Sequence, residues 1–391
     1  MKTSAFLYPW DVVGDPDAAD RIAELGVQQV TLASAYHSTR ALTPRHPRHR
    51  IVTAEHAAVL YPPDAERWAG RELRPYTAGD WAPGDAYGEA AAALADAGLE
   101  VHSWVVLAHN SRLGAEHPET SVVNVYGDRY PWAPCIAQPA VRELLVDLAA
   151  EAGARPGARG TELESCGWYG LGHLHAHDKT AGVGLGQAAQ YLMSLCFCAA
   201  CREGYGGAGV EPERIAAAVR SGLEPVWRGA VASDTGIGDL LGAELAAATL
   251  EFRTGVARTL QEAAVAAVRG AAPEGFQVLL HADPVAYRCG ANAAVDPAHI
   301  LSVADGVVVP CAGGVGLLAA FAEAEVEVEG AVPVLAANFT VVSGMGGSPG
   351  TLAKDAARAG EAGANELRLY HAGLASDGDL GVVREAVAGL G

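Results

Sequence analysis

Two glutamates two apart, Glu162 and Glu164, open the segment TELESCGWYGLGHLHAHDK, residues 161–179. It continues into histidines at alternate positions, His173, His175 and His177, and an Asp178–Lys179 pair. Paired carboxyl groups suit general acid–base work once their surroundings push their pKa values apart. Alternate residues of an extended chain face one side, so the histidines read as metal ligands, as substrate contacts or as part of a solvated loop. Downstream, CFCAAC carries Cys196, Cys198 and Cys201 at a spacing that suits thiolate ligands. A structural zinc site needs a fourth ligand, and no second CxxC lies close by. These cysteines are therefore expected to pack as small apolar residues, with no metal and no cofactor. The nearest candidate for a phosphate loop, VSGMGGSPG at 342–350, has no basic residue before Lys354.

Whether such groups meet depends on the elements that carry them. Apolar stretches of strand length alternate with Ala/Leu/Glu-rich stretches of helical period: SAFLYPW, VQQVTLASAY, EVHSWVVLAHN, GTELES, FQVLLHADP, DGVVVPC, AVPVLAANFTVV and ELRLYHAG are each followed by a helical segment. Eight such units predict an α/β fold, a (β/α)8 TIM barrel, with an open doubly wound sheet as the weaker alternative. A single domain over 1–391 is expected, elaborated by a long loop at about 37–84 and a helical insertion at about 170–275. Within the insertion, DLLGAELAAATLEFRTGVARTLQEAAVAAVRGAA reads as one long helix facing the barrel.

Barrels of this kind carry their functional groups at the C-terminal strand ends. Those positions hold Tyr8, Trp10 and Asp11; Tyr36 and His37; His109 and Asn110; Glu162 and Glu164; His281 and Asp283; Cys311; Asn338; and Tyr370 and His371. Glu162 and Glu164 project to the same side of the fourth strand. A carboxyl held among apolar walls at the mouth has a raised pKa, which suits Glu164 as general acid. Glu162, His109, His281, Asp283 and His371 are the other candidates for the chemistry. Tyr8, Trp10, Asp11, Tyr36, His37, Asn110, Trp168, His175 and Asn338 are candidates for substrate contact.

The run HNSRLGAEHPETSVVNVYGDRYPWAPCIAQPAVRELL, followed by ELES, HLHAHDK and SLCFCAACREGY, resembles the uncharacterised glycoside-hydrolase-like TIM-barrel proteins of bacteria. The likeness is close over roughly 101–205 and rests on barrel topology elsewhere. It implies a sugar or glycoside in the mouth, Glu164 as the strand-four acid/base, and Trp10, Trp104, Trp132, Trp168 and Tyr169 as flat surfaces for a pyranose. One departure stands out. Retaining barrel glycosidases usually carry a nucleophilic carboxylate at the end of strand seven, where this chain has Asn338. A glycosidase ordinarily needs two carboxylates, so the second must come from Asp283, Asp11, Asp178 or Glu162. Otherwise the protein is a pseudoglycosidase that applies Glu164 and the histidines to elimination or rearrangement.

Composition narrows the partners. With 46 acidic against 27 basic residues, the formal net charge is −19, which argues against nucleic acid and anionic membrane surfaces. MKTSAFLYPWD lacks a signal-peptide core, no 20-residue apolar segment occurs, and seven cysteines make no self-contained disulfide framework. A reduced cytoplasmic setting is expected, with homo-oligomerisation left open. Two other readings compete with the glycosidase-like enzyme: a metal-dependent barrel isomerase or hydrolase, and a non-catalytic sugar-binding barrel.

Overall fold

The computed structural model describes residues 1–174, 178–232, 234–326 and 332–390. Its core is a closed barrel of eight parallel strands: β1 (Lys2–Leu7), β2 (Gln29–Tyr36), β3 (Glu100–Val106), β4 (Gly160–Glu164), β5 (Gln277–Asp283), β6 (Gly306–Pro310), β7 (Val334–Thr340) and β8 (Glu366–Tyr370). Each pairs with its neighbours in chain order, and β1 pairs with both β2 and β8, so no open edge remains. The chain is thus a (β/α)8 barrel, as its alternation of elements predicts.

Helices α1 (Ala18–Ala23), α2 (Ala86–Asp96), α3 (Pro139–Gly153), α4 (Ala243–Ala271), α5 (Pro297–Val303), α6 (Leu318–Ala322), α7 (Leu352–Glu361) and α8 (Asp377–Ala388) follow the strands in order. Several start on side-chain caps legible in the sequence. Asp85 accepts from the Gly88 amide at 2.9 Å, Asp296 from that of His299 at 2.8 Å and Ser376 from that of Asp379 at 3.1 Å.

The long insertion helix differs from its sequence reading. It breaks into Ile237–Leu241 and α4 at Gly242, whose φ of +76° lies where side-chain-bearing residues are strained. Beyond the break, α4 packs on α3 and β5, serving as the barrel helix of the fourth unit. The insertion before it adds helices Gln187–Ser194, Ala199–Gly207 and Pro212–Trp227.

The excursion after β2 is also structured. Thr39–Leu42 and Ile51–Ala54 form an antiparallel pair, and Ala58–Val59 adds antiparallel to β2. From its PRHPRHR run, Arg45 donates to the carbonyl oxygens of Ala372, at 2.7 Å, and Ala375 in the loop after β8. Between β3 and β4, a second antiparallel pair, Ser121–Val123 with Arg129–Pro134, leans on the insertion through the Phe197 amide and the Val123 carbonyl at 2.7 Å.

Candidate functional site

The alternation of β4 places Glu162 and Glu164 inside the barrel, at two depths. Around the deeper Glu162, Arg368 of β8 donates from Nε at 2.5 Å, Thr31 of β2 donates at 3.1 Å, and His281 Nε2 of β5 stands 3.3 Å away. Arg368 also donates to Glu366 at 2.8 Å. Glu162 and Arg368 are fully buried. Burial alone would raise the Glu162 carboxyl. Arg368, with His281 and His102, overrides it and holds the group down at about 2. This ion pair is the floor of the site.

Glu164 sits one step nearer the mouth, where His281 Nδ1 stands 3.9 Å from Oε2. The Trp104 indole N–H donates to the same oxygen at 2.8 Å. Burial pushes the carboxyl above its ordinary value; His281 and Trp104 offset this only in part, and Glu162 adds to it. His281 is therefore a bridge, one ring nitrogen on each glutamate.

Aromatic side chains wall the space above. Phe6 meets Trp104, His281 and Tyr370 edge-on, at centroid distances of 4.8, 5.7 and 5.5 Å. Tyr8 stacks on Trp10 at 4.6 Å and on His371 at 4.3 Å, and meets Tyr36 edge-on at 4.9 Å. Burial raises all three phenols, Tyr370 to about 12, and each also feels the charge of Glu164. They act as hydrogen-bond donors and not as phenolates.

The remaining candidates divide. His37 and His109 stack on each other at 4.6 Å, in a row that runs from Tyr36 to Tyr169. His371 is fully buried, and burial pushes it down to about 3, so it is neutral at physiological pH. Asn338, two residues before the end of β7, is half-buried, its Oδ1 without a partner among the described residues. Cys311 is buried and its thiol pushed up to about 11, which makes it a poor nucleophile.

Other candidates are used elsewhere. Asp283 is held by Arg288 Nε at 2.7 Å and by the Val285 amide at 2.9 Å. Asp11 accepts from the Tyr8 amide at 2.8 Å and lines a cleft with Arg21, Arg45 and Gly373 on the α1 side of β1. Burial raises its carboxyl to about 7. Asn110 spends its side-chain oxygen on the Leu113 amide, capping the helix Ser111–Glu116. Asp178 is exposed and accepts from the Leu174 amide. Trp168 is buried against α4, donating to the Arg253 carbonyl at 3.0 Å beneath the Arg253 guanidinium. Of the flat surfaces expected, Trp104 is wholly buried too. His175 and His177 lie outside the described residues.

Two groups were missed from the sequence. One is Arg368 inside ELRLY, an arginine in the middle of a barrel strand, which implies a buried anion. The second corrects the expectation for CFCAAC. A fourth thiol, Cys135, joins Cys196, Cys198 and Cys201, so the described residues contain a four-sulfur cluster able to hold a metal. Cys135 lies 63 residues before Cys198, a separation at which spacing motifs are silent.

No protein-family model and no curated protein matches the sequence. Solved structures do match, at identities that show the fold alone. The α-L-fucosidase isoenzyme 2 from Paenibacillus thiaminolyticus aligns over 100% of this chain and 49% of its own, at TM-score 0.58 and 11% identity. The glycoside hydrolase domain of PgaB (BpsB) from Bordetella bronchiseptica aligns over 99% of both chains, at 0.58 and 14%. The β-amylase catalytic domain from Paenibacillus polymyxa aligns over 100% of this chain and 98% of its own, at 0.53 and 12%. The chain thus spans about half of the fucosidase and nearly all of the other two, and it shares their barrel fold.

Proposed function

We propose that the protein is a glycosidase-like enzyme acting on a glycoside or sugar-derived small molecule, with Glu164 as its general acid and base. The observation that carries this reading is the split between two glutamates on one strand. Glu162 is ionised and locked to Arg368, whereas Glu164 is buried with a raised pKa at the mouth. Environments that separate two carboxyl pKa values in this way mark acid–base assignments. Protonated Glu164 gives its proton to the leaving oxygen as the C–O bond breaks. The carboxylate so formed takes a proton back, from water in hydrolysis or from the neighbouring carbon in an elimination.

The second carboxylate of a standard glycosidase is the weak point. Glu162 is bound to Arg368, Asp283 to Arg288, and Asp11 faces the α1 side. Asn338 stands where retaining barrel glycosidases usually carry the nucleophile. The raised phenols do not replace it. This favours the non-hydrolytic branch, with Tyr8, Tyr36, Tyr370 and Asn338 orienting the sugar and His281 positioning Glu164.

The test is a panel of aryl and natural glycosides followed by NMR, so that hydrolysis and elimination products are both seen. Turnover lost in Glu164→Gln, with thermal stabilisation by the same ligand retained, supports the reading. Full turnover in Glu164→Gln sinks it. Ligand stabilisation without any product would point to the sugar-binding barrel instead.

A further inference from the structure

Four of the seven cysteines converge from two distant segments. Cys135 follows the strand Arg129–Pro134 between β3 and β4; Cys196, Cys198 and Cys201 lie where helices Gln187–Ser194 and Ala199–Gly207 meet. Their sulfurs all fall within 4.8 Å of one another, with Cys135 Sγ 3.5 Å from that of Cys201 and 3.6 Å from that of Cys198. Around a tetrahedral zinc with Zn–S bonds of about 2.3 Å, sulfurs stand roughly 3.8 Å apart. We propose that these four thiolates form a closed structural zinc site that fastens the β3–β4 hairpin to the helical insertion.

Two further observations support it. The backbone amides of Val123 and Cys198 both donate to Cys196 Sγ, at 3.4 and 3.5 Å. Paired amide donors suit a sulfur that carries negative charge, as a metal-bound thiolate does. Three of the four cysteines are buried and Cys198 is half-buried, which leaves no open position of the kind a catalytic zinc keeps for water. Cys166, Cys289 and Cys311 take no part.

The clasp reaches toward the mouth. The hairpin it anchors holds Tyr130, whose hydroxyl donates to the Met193 carbonyl at 2.9 Å. Trp132 in the same strand donates to the carbonyl of Gly170, in the loop that leaves Glu164, at 3.2 Å. Metal loss is therefore expected to loosen 121–134 and 187–207 while the barrel strands keep their protection.

The experiment uses the full chain, untagged and purified without chelators. Elemental analysis is expected to find one zinc per chain, and titration of the native protein with a mercurial is expected to release it as four thiols react. Cys135→Ser and Cys198→Ser are expected to abolish zinc binding, and hydrogen exchange after metal removal should show loss of protection in the two named segments. If the variants do not fold, the titration of the natural protein still decides. Protein purified with no stoichiometric metal, iron in place of zinc, or zinc released without consumption of thiols would each overturn the proposal.

Discussion

The floor of the barrel and its mouth hold the same kind of side chain in opposite conditions. At the floor, Glu162 meets Arg368, Thr31 and His281, and its charge is fully compensated. At the mouth, Glu164 meets an indole N–H and one imidazole edge, and burial pushes its carboxyl above its ordinary value. Both are buried, so burial alone does not decide ionisation. The guanidinium does, and it reaches only the deeper residue. Arg368 lies a single strand step too low to reach Glu164.

The contrast can be broken from either end. Glu164→Gln should reduce turnover by roughly 10²–10⁴-fold, the usual worth of a positioned acid–base, with the melting temperature little changed; parallel kinetics and calorimetry check this. Arg368→Met should do the reverse. It strands Glu162 as an unpaired buried charge and should cost about 3–5 kcal/mol in denaturant unfolding.

Acidity sharpens the comparison further. Glu162 titrates near 2 in the folded protein against 4.5 ordinarily, so its stabilisation is complete above the higher value and lost as pH falls through the lower. Asp11 runs the other way. Raised from 3.8 to about 7, it is tolerated best below the first value and costs stability as pH climbs to the second. Asp11→Asn should therefore gain on the natural protein between those limits, by roughly 1–3 kcal/mol, and hold that gain at higher pH. Unfolding measured across about pH 2 to 8, which covers both groups, follows the two trends. The smallest effect is expected from Trp104→Phe. Removing the N–H that favours ionised Glu164 should move the alkaline limb of activity upward, since the acid then stays protonated to higher pH.

Much of this was legible in the chain, for local reasons. Apolar strands alternating with stretches of helical period predict the barrel, because each period is read from neighbouring residues. Glu162 and Glu164 share a face by simple alternation. What failed was non-local or conformational. Arg368 is separated from Glu162 by 206 residues and shows its purpose only when the barrel closes. Cys135 reaches its partners across a whole barrel unit. Trp168 looked like a sugar platform beside Glu164, but the turn after β4, with Ser165 at φ +56° and its amide on the Ala291 carbonyl, sends it to α4 instead. The break at Gly242 depends on a backbone angle that a helical pattern masks.

The contact of Arg45 with the loop after β8 bears on how the molecule is made. A ribosome delivers β1 first and β8 last, so β1 waits with one bare edge while most of the chain is synthesised. Arg45 likewise has no acceptor until Ala372 and Ala375 emerge. Closing the barrel and anchoring the excursion therefore fall at the same late moment. A nascent chain stalled before the eighth unit would expose both an unpaired strand and an unbolted loop, and chaperones would meet them together.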